Sequence, residues 1–374
     1  MERIDCMNYK ELDTPALIIN KNIMMDNLKF MQDYADRKKV SLRPHTKTHK
    51  MPKLALLQES IGAKGITVAK VGEAEVMAKS GLKDIFIANE IVGKPKLERI
   101  RKLAETIEVS FGLDSIPQAE MIEEAFQGAD KPAQVLIEIE VGEERSGIIE
   151  EEDYLQLLEY LKKCSNIHLK GIFSHDGNSY QAEDVEACKE IHLTAQRRTL
   201  RFAQLAEEAG MELETVSIGS TPSMMHDFPI LDGVTEIRPG TYIFMDASQA
   251  NAYGSLERNA ATILTTVISR PTPERVITDV GAKGITAQTR SKGFCATRGL
   301  GLIKGWPEVE IFDVYDEHAI IYNKEFRDGV RVGDKVEIIP NHICPVVNLH
   351  EKAYLVSGDE VVDVIDVECR GKLQ

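Results

Sequence analysis

DIFIANEIVGKPKLERIRKLAETIEVSFGLD, residues 84–114, decides the fold. Two short apolar runs, DIFIANE (84–90) and IEVSFGLD (107–114), flank a stretch with apolar residues three and four apart. That is strand, helix, strand, and a connection of this length suits parallel pairing. The unit repeats in both directions. Strand-length runs occur at VSL (40–42), GITVAK (65–70), AQVLIEIEV (133–141), IHLKGIFSH (167–175), TVSIGS (215–220) and VTEIRPG (234–240). Helical patterns fill 51–61, 72–80, 94–105, 115–127, 152–163 and 183–209, the last stopping before Gly210. The gap around PSMMHDF has room for only a short turn of helix. Eight strands with crossovers over about 200–250 residues predict a closed (β/α)8 TIM-type barrel. No strand leads into GxGxxG, which argues against an open dinucleotide-binding sheet.

After residue 244 the texture changes. NAATILTTVISR, ERVITDVG, EVEIFDVYDEHAIIY, DKVEIIP and KAYLVSGDEVVDVIDVE are β-branched and separated by glycine turns. The expected organisation is a barrel over 21–244 and a second, mostly β domain from 1–20 plus 245–374, with ALIIN (16–20) lending a strand.

The chain has 374 residues, a formal net charge of −15 and 43% hydrophobic residues. An acidic chain gains little from phosphate neutralisation, so no nucleic-acid partner is expected. No run of about 18 apolar residues marks a membrane span. Cysteines 6, 164, 188, 295, 344 and 369 form no CxxC pair, and MERIDCMNYKELDTP has no apolar signal core. Cytoplasmic localisation is the expectation.

Barrel chemistry collects at the C-terminal ends of strands. Strand one opens into RPHTK, strand five into EVGEERSG with Arg145, and strand six into SHDGNSY with His175, Asp176 and Tyr180. Strand seven opens into GSTPS and strand eight into RPGTY. Period two would place Arg43, His45 and Lys47 on one face of an extended segment. Mutual repulsion and burial would then free the Lys47 amine for Schiff-base chemistry, against the plainer reading of three solvated side chains. GSTPS could cradle a phosphate, although such turns are common. A lysine together with a phosphate cup points to pyridoxal phosphate. In the second domain His342 and Cys344 are two apart, so on a strand they would point the same way. They suit zinc, with plain packing as the alternative.

RPHTKTHK (43–50), the EERSG loop, SHDGNSY, SIGSTPS, EIRPGTY, TDVGAKGIT (278–286) and PNHICPVVNL (340–349) resemble the D-threonine aldolase and D-serine dehydratase family. The similarity runs from DTPALIIN to the C-terminal strands. The resemblance implies an alanine-racemase-type barrel plus a β domain, pyridoxal phosphate, a divalent metal (zinc or manganese) and a homodimer. It makes Lys47 the Schiff-base lysine and places Arg145 near the cofactor's phenolic oxygen or the substrate carboxylate. It sets His175 against the ring and leaves Tyr180 as a candidate facing the cofactor. Gly219, Ser220 and Thr221, with Gly240 and Thr241, become the phosphate contacts, and His342 with Cys344 the metal pair. The implied activity is retro-aldol cleavage of D-threonine-like substrates to glycine and an aldehyde. The alternative is dehydration of D-serine or 3-hydroxyaspartate to a 2-oxo acid and ammonia. Cys344 leans towards the dehydratases, whereas CPVVNL and TDVGAKGIT resemble the aldolases. A racemase or a pyridoxal phosphate carrier fits less well, because neither needs PNHICP.

Overall fold

In a computed structural model, which describes residues 7–374, the chain divides into two compact units. Cys6 lies outside the described residues.

The barrel unit comprises Phe30–Lys47, Pro52–Gly240 and Gly371–Gln374. Its eight strands are Ser41–Leu42, Ile66–Val68, Asp84–Glu90, Glu108–Leu113, Ala133–Ile139, Ile167–Ser174, Thr215–Ile218 and Glu236–Ile237. All adjacent pairs are parallel, and the eighth strand pairs with the first through Ser41–Glu236 and Leu42–Ile237. The second strand returns to the first through Lys64 N donating to Leu42 O (2.8 Å), Thr67 N donating to Pro44 O (2.9 Å) and a His45–Thr67 bridge. The sheet is therefore a closed (β/α)8 barrel. Strands one and eight are shorter than their apolar runs. Each is soon followed by a proline, Pro44 and Pro239, which has no N–H to extend a ladder.

Local chemistry explains the helices. Lys94–Ala104 starts after Gly93 with Pro95 in its first turn and buries Leu97 and Ile100. Val185–Glu208 is capped by Asp184, whose carboxylate accepts Ala187 N at 2.8 Å. It stops at Gly210, which takes the left-handed conformation (φ 76°). The expected short turn after strand seven is Thr221–Met224.

The barrel interior carries a polar column where packed apolar layers are the usual filling. Arg43 Nη1 and Nη2 donate to the Asp84 carboxylate at 2.7 and 3.0 Å, and its Nε donates to Glu236 at 2.7 Å. Ser217 Oγ donates to the other Glu236 oxygen (2.6 Å). Arg238 donates to Ser217 Oγ (2.6 Å) and to Ser174 O (2.7 Å) and lies over the rings of Phe86 and Phe173. This corrects the expectation for Arg43. Its side chain is 4% exposed overall and reaches the residues that open strands three and eight. It therefore does not share the barrel mouth with His45 and Lys47. Burial opposes its charge, but Glu236 and Asp84 more than offset that, and its pKa rises.

The β unit comprises Met1–Lys29 (described from residue 7), Thr48–Met51 and Thr241–Arg370. Its sheet runs Trp306–Glu310, Gly301–Ile303, Lys335–Pro340, Ala261–Ser269, Ala16–Asn20, Lys352–Ser357, Glu360–Asp366. Arg275–Thr278 pairs with Ala261–Ser269 and with Ala319–Tyr322. Ala16–Asn20 is antiparallel to Ala261–Ser269 and parallel to Lys352–Ser357. The unit boundaries differ from 21–244 at four places, the first being that the β unit resumes at Thr241. The first turns of the Lys21–Lys38 helix go with the β unit, where Asn27 Nδ2 donates to Ile243 O (3.2 Å) and Arg258 O (2.9 Å). Thr48–Met51 does likewise, with Cys369 N donating to Lys50 O (3.0 Å). Gly371–Gln374 joins the barrel unit through Gly72 N donating to Gln374 O (2.8 Å). Cys188, Cys295 and Cys369 are buried and unbridged, consistent with packing roles. Among the described residues no helix is long and apolar enough to cross a membrane.

Arg43→Met would leave Glu236 buried without its cation. The expected cost is about 3–5 kcal/mol, read as a lower urea midpoint. A loss under about 1 kcal/mol would show that the column is not a stabilising element.

Candidate active site

The barrel unit places Lys47 in the 3-10 turn Thr46–Thr48, just after the first strand. This replaces the extended segment expected there. The turn is shaped locally: Lys47 N points at His45 Nδ1 (3.4 Å), and Thr46 Oγ1 donates to Thr67 O (3.0 Å). With Nδ1 accepting, the neutral His45 ring carries its proton on Nε2. Burial, followed by the charges of Lys47, Arg238 and His175, drives the His45 pKa well below its ordinary value.

His175 follows the sixth strand. Its Nδ1–H donates to Gly219 O at 2.5 Å, which leaves Nε2 as the unprotonated nitrogen. Burial first, then Lys47 and Arg145, push its pKa down to about 4. Two neutral imidazoles thus stand with Lys47 at the strand ends. Arg238 acts on His45, its own pKa pulled down to about 10 by burial against the pull of Glu236, Glu138 and Asp176.

Arg145 lies on the loop after strand five, with half its side chain exposed. It is ion-paired to Glu138 and Glu143, both at 3.3 Å. Glu138 also accepts Ser146 Oγ (2.8 Å) and is held below the usual carboxylate range despite its burial, with Glu90 and Ser146 hydrogen-bonding to it. Glu90 is the protonated partner, raised by burial and by Glu138. Glu143 is raised by burial, with Arg145 and Lys47 opposing.

Of the phosphate-loop candidates Gly219, Ser220, Thr221 and Thr241 are buried and Gly240 is half-buried. Gly219 has φ 147°, and a Cβ there would sit 2.9 Å from Arg238 N, so only glycine lets the loop lie this close to strand eight. Gly240 N donates to Thr221 Oγ1 at 3.3 Å. The Ser220 hydroxyl touches Ser179 and Ser223, both at 3.0 Å, and Ser223 Oγ donates to Asp176 at 2.6 Å. Asp176 is buried, yet His192 (3.2 Å) and Ser223 hold its pKa below the ordinary carboxylate value. Tyr180 is half-buried in the turn Gly177–Gln181. Asp227 pairs with Arg37 and Lys38 on the exposed surface.

In the β unit, His342 is the N-cap of the helix Ile343–Val347, and Cys344 sits in that helix's first turn. They are not on a strand, so their spacing works through a cap and a turn. His342 Nδ1 is 3.1 Å from Gln288 Oε1, and Cys344 Sγ is 3.3 Å from Thr48 Oγ1 and 3.6 Å from Thr241 Oγ1. The buried Asp246 carboxylate accepts Ile343 N (3.0 Å), and burial raises its pKa to about 6. Among the described residues, no three His, Cys, Asp or Glu side chains cluster as a metal site. The pair is therefore two donors, one imidazole and one thiol.

Sequence reasoning missed Glu90, Glu138, Glu143, Asp246 and Gln288, whereas it reads Asp176 beside His175 at the end of strand six. Glu138 alone left a signal, as a carboxylate inside the apolar strand Ala133–Ile139.

A closed barrel with a lysine after its first strand, beside two neutral imidazoles and an enclosed Gly-Ser-Thr turn, defines a class of barrel enzyme. The family model "Alanine racemase, N-terminal domain" matches residues 19–248, and "Putative serine dehydratase domain" matches 260–356. The chain is 32% identical to a D-threonine aldolase of an Arthrobacter species, over 96% of this chain and 93% of that protein. It is 29% identical to a 3-hydroxy-D-aspartate aldolase of Paracoccus denitrificans, over 98% and 94%. A solved D-threo-3-hydroxyaspartate dehydratase from a Delftia species superposes with a TM-score of 0.90 at 27% identity, covering 96% and 98% of the chains. Solved variants of that dehydratase replace a histidine and a cysteine two positions apart with alanine, the cysteine variant being described as metal-free. The chain belongs to the alanine racemase N-terminal domain family, in its branch of D-threonine aldolases and D-serine dehydratases. It is a pyridoxal phosphate-dependent lyase.

His175 is expected to stay neutral, with its proton on Nδ1, from pH 8 down to about 5 in imidazole nitrogen NMR of the apoprotein. The unfolded ring takes up its proton near 6.5 and the folded ring near 4. The ring's contribution therefore favours the fold above that window and is lost as the pH falls through it. The stability advantage over His175→Gln should shrink across the same window. A ring titrating between 6 and 7 would contradict this.

Proposed function

We propose that the chain cleaves D-threonine-like β-hydroxy amino acids to glycine and an aldehyde, using pyridoxal phosphate and a divalent metal. The observation that carries this reading is Lys47 at the strand ends, near enough to the neutral rings of His45 and His175 for its charge to act on both.

The residues fit the cofactor. Lys47 is the amine for its aldehyde, and the turn Gly219–Thr221 with Gly240 is the cup for its phosphate, Thr241 being the next residue along the chain. Bound there, it supplies an electron sink for the bond broken at Cα. His175 offers a neutral ring whose tautomer is locked by Gly219 O, so it orients its neighbours without adding charge. Arg145 offers a guanidinium for the substrate carboxylate, and its exposure makes exchange between Glu143 and a ligand feasible. Glu138 keeps that guanidinium anchored on its inner side. Lys47 and the two imidazoles are the groups that can hold or move a proton.

The metal fits His342 and Cys344, whose nitrogen and sulfur suit zinc, with manganese as the other candidate. It supplies Lewis acidity towards a substrate hydroxyl. Two protein donors leave coordination positions open. The histidine and cysteine two apart in the solved dehydratase, one variant of which is metal-free, support this assignment.

The same spacing favours a second reading, dehydration of D-serine or 3-hydroxyaspartate. The substrate assay separates the two. D-threonine should yield glycine with zinc or manganese present, and Lys47→Ala should abolish turnover. Chelation should remove activity and leave the cofactor bound. A 2-oxo acid from D-serine with no glycine from D-threonine would install the second reading. Full activity after thorough chelation would remove the metal.

A further inference from the structure

The pair His342 and Cys344 is held by the β unit in a way that selects one nitrogen of the imidazole. His342 Nδ1 and Gln288 Oε1 are 3.1 Å apart. An amide oxygen only accepts, so Nδ1 carries the proton and, in the neutral ring, Nε2 carries the lone pair. Gln288 is itself pinned to the same region. Its carbonyl accepts Asn341 Nδ2 at 3.2 Å, and its N–H donates to Thr286 Oγ1 at 3.3 Å. Asn341, the residue before His342, also donates to Gly299 O at 2.9 Å, so the histidine's own backbone is tied to the loop that carries Gln288. On the other side Asp246 holds the amide of Ile343, the residue between the two donors. The backbone on both sides of His342 is thus fixed, and Gln288 sets its ring.

We propose that Gln288 is a positioning residue for the metal, holding His342 in the tautomer that presents Nε2 as the ligand. The inference rests on the metal reading above and adds the atom used and the residue that selects it. A hydrogen bond from the far nitrogen of a ligating histidine fixes its orientation and raises its basicity, and losing one typically weakens metal binding by about 10–100-fold. Gln288 is exposed, so replacing it opens no core.

The test uses the cofactor-loaded enzyme, stripped of metal and titrated with Zn2+ by calorimetry and with Co2+ by absorption. The near-ultraviolet thiolate-to-cobalt band reports Cys344 independently of turnover. Gln288→Leu should weaken Zn2+ binding by about 10–100-fold. Gln288→Glu, which keeps an acceptor, should restore it to within a few-fold. Imidazole nitrogen NMR of the metal-free wild type should show His342 protonated on Nδ1. Unchanged affinity in Gln288→Leu, or an Nε2–H tautomer in the wild type, would overturn the role of Gln288 and leave the metal pair standing. A wild type that binds neither ion would instead overturn the metal reading itself.

Discussion

A guanidinium inside a barrel needs carboxylate partners, because an unpaired buried charge costs several kcal/mol. Glu236 meets that need twice. One of its oxygens takes Arg43, and the other takes Ser217, which in turn takes Arg238. The column runs from Asp84, the first residue of strand three, to the carbonyl of Ser174, the last residue of strand six. It fixes strand eight against strands one, six and seven, and it sets the height of Arg238. The charge of Arg238 then acts on His45. Lys47 acts on both His45 and His175, and Arg145 on His175. The two rings stay neutral because burial disfavours their charged forms and the neighbouring cations add to that.

The acids follow the same logic. Glu138 stays ionised because Ser146 and Arg145 meet it, and its neighbour Glu90 stays protonated because two like charges cannot share that burial. Asp176 stays ionised because Ser223 and His192 meet it, which ties the loop at Ser220 to the sixth strand's exit. In the β unit the arrangement is sparer. Each donor of the metal pair has a polar neighbour of its own, Gln288 for the imidazole and the hydroxyls of Thr48 and Thr241 for the thiol. Thr48 and Thr241 are also the residues that directly follow Lys47 and Gly240 in the chain.

Much of this was legible in the sequence where the signal is local. Alternating strand and helix patterns, the stop at Gly210 and the short turn at Thr221–Met224 all depend on neighbours a few residues apart. Lys47, His175 and the Gly-Ser-Thr turn stood out because polar residues crowd the ends of apolar runs. What failed depends on distant partners. Period two gives the face of Arg43 but not the direction of a long side chain, and its acids lie 41 and 193 residues away. The turn at Thr46–Thr48 is fixed partly by Thr67 O, across the barrel closure, and so broke the extended pattern. His342 and Cys344 kept their spacing but not their strand, because Asp246 draws Ile343 into a helix start.

The central claim is that Lys47 is the residue that carries pyridoxal phosphate. The direct measurement is borohydride reduction of the purified, cofactor-loaded enzyme, followed by peptide mass mapping. The account predicts loss of the yellow absorbance and a pyridoxyl adduct on Lys47 alone. An adduct on another lysine, or a protein that takes up no pyridoxal phosphate, would contradict it.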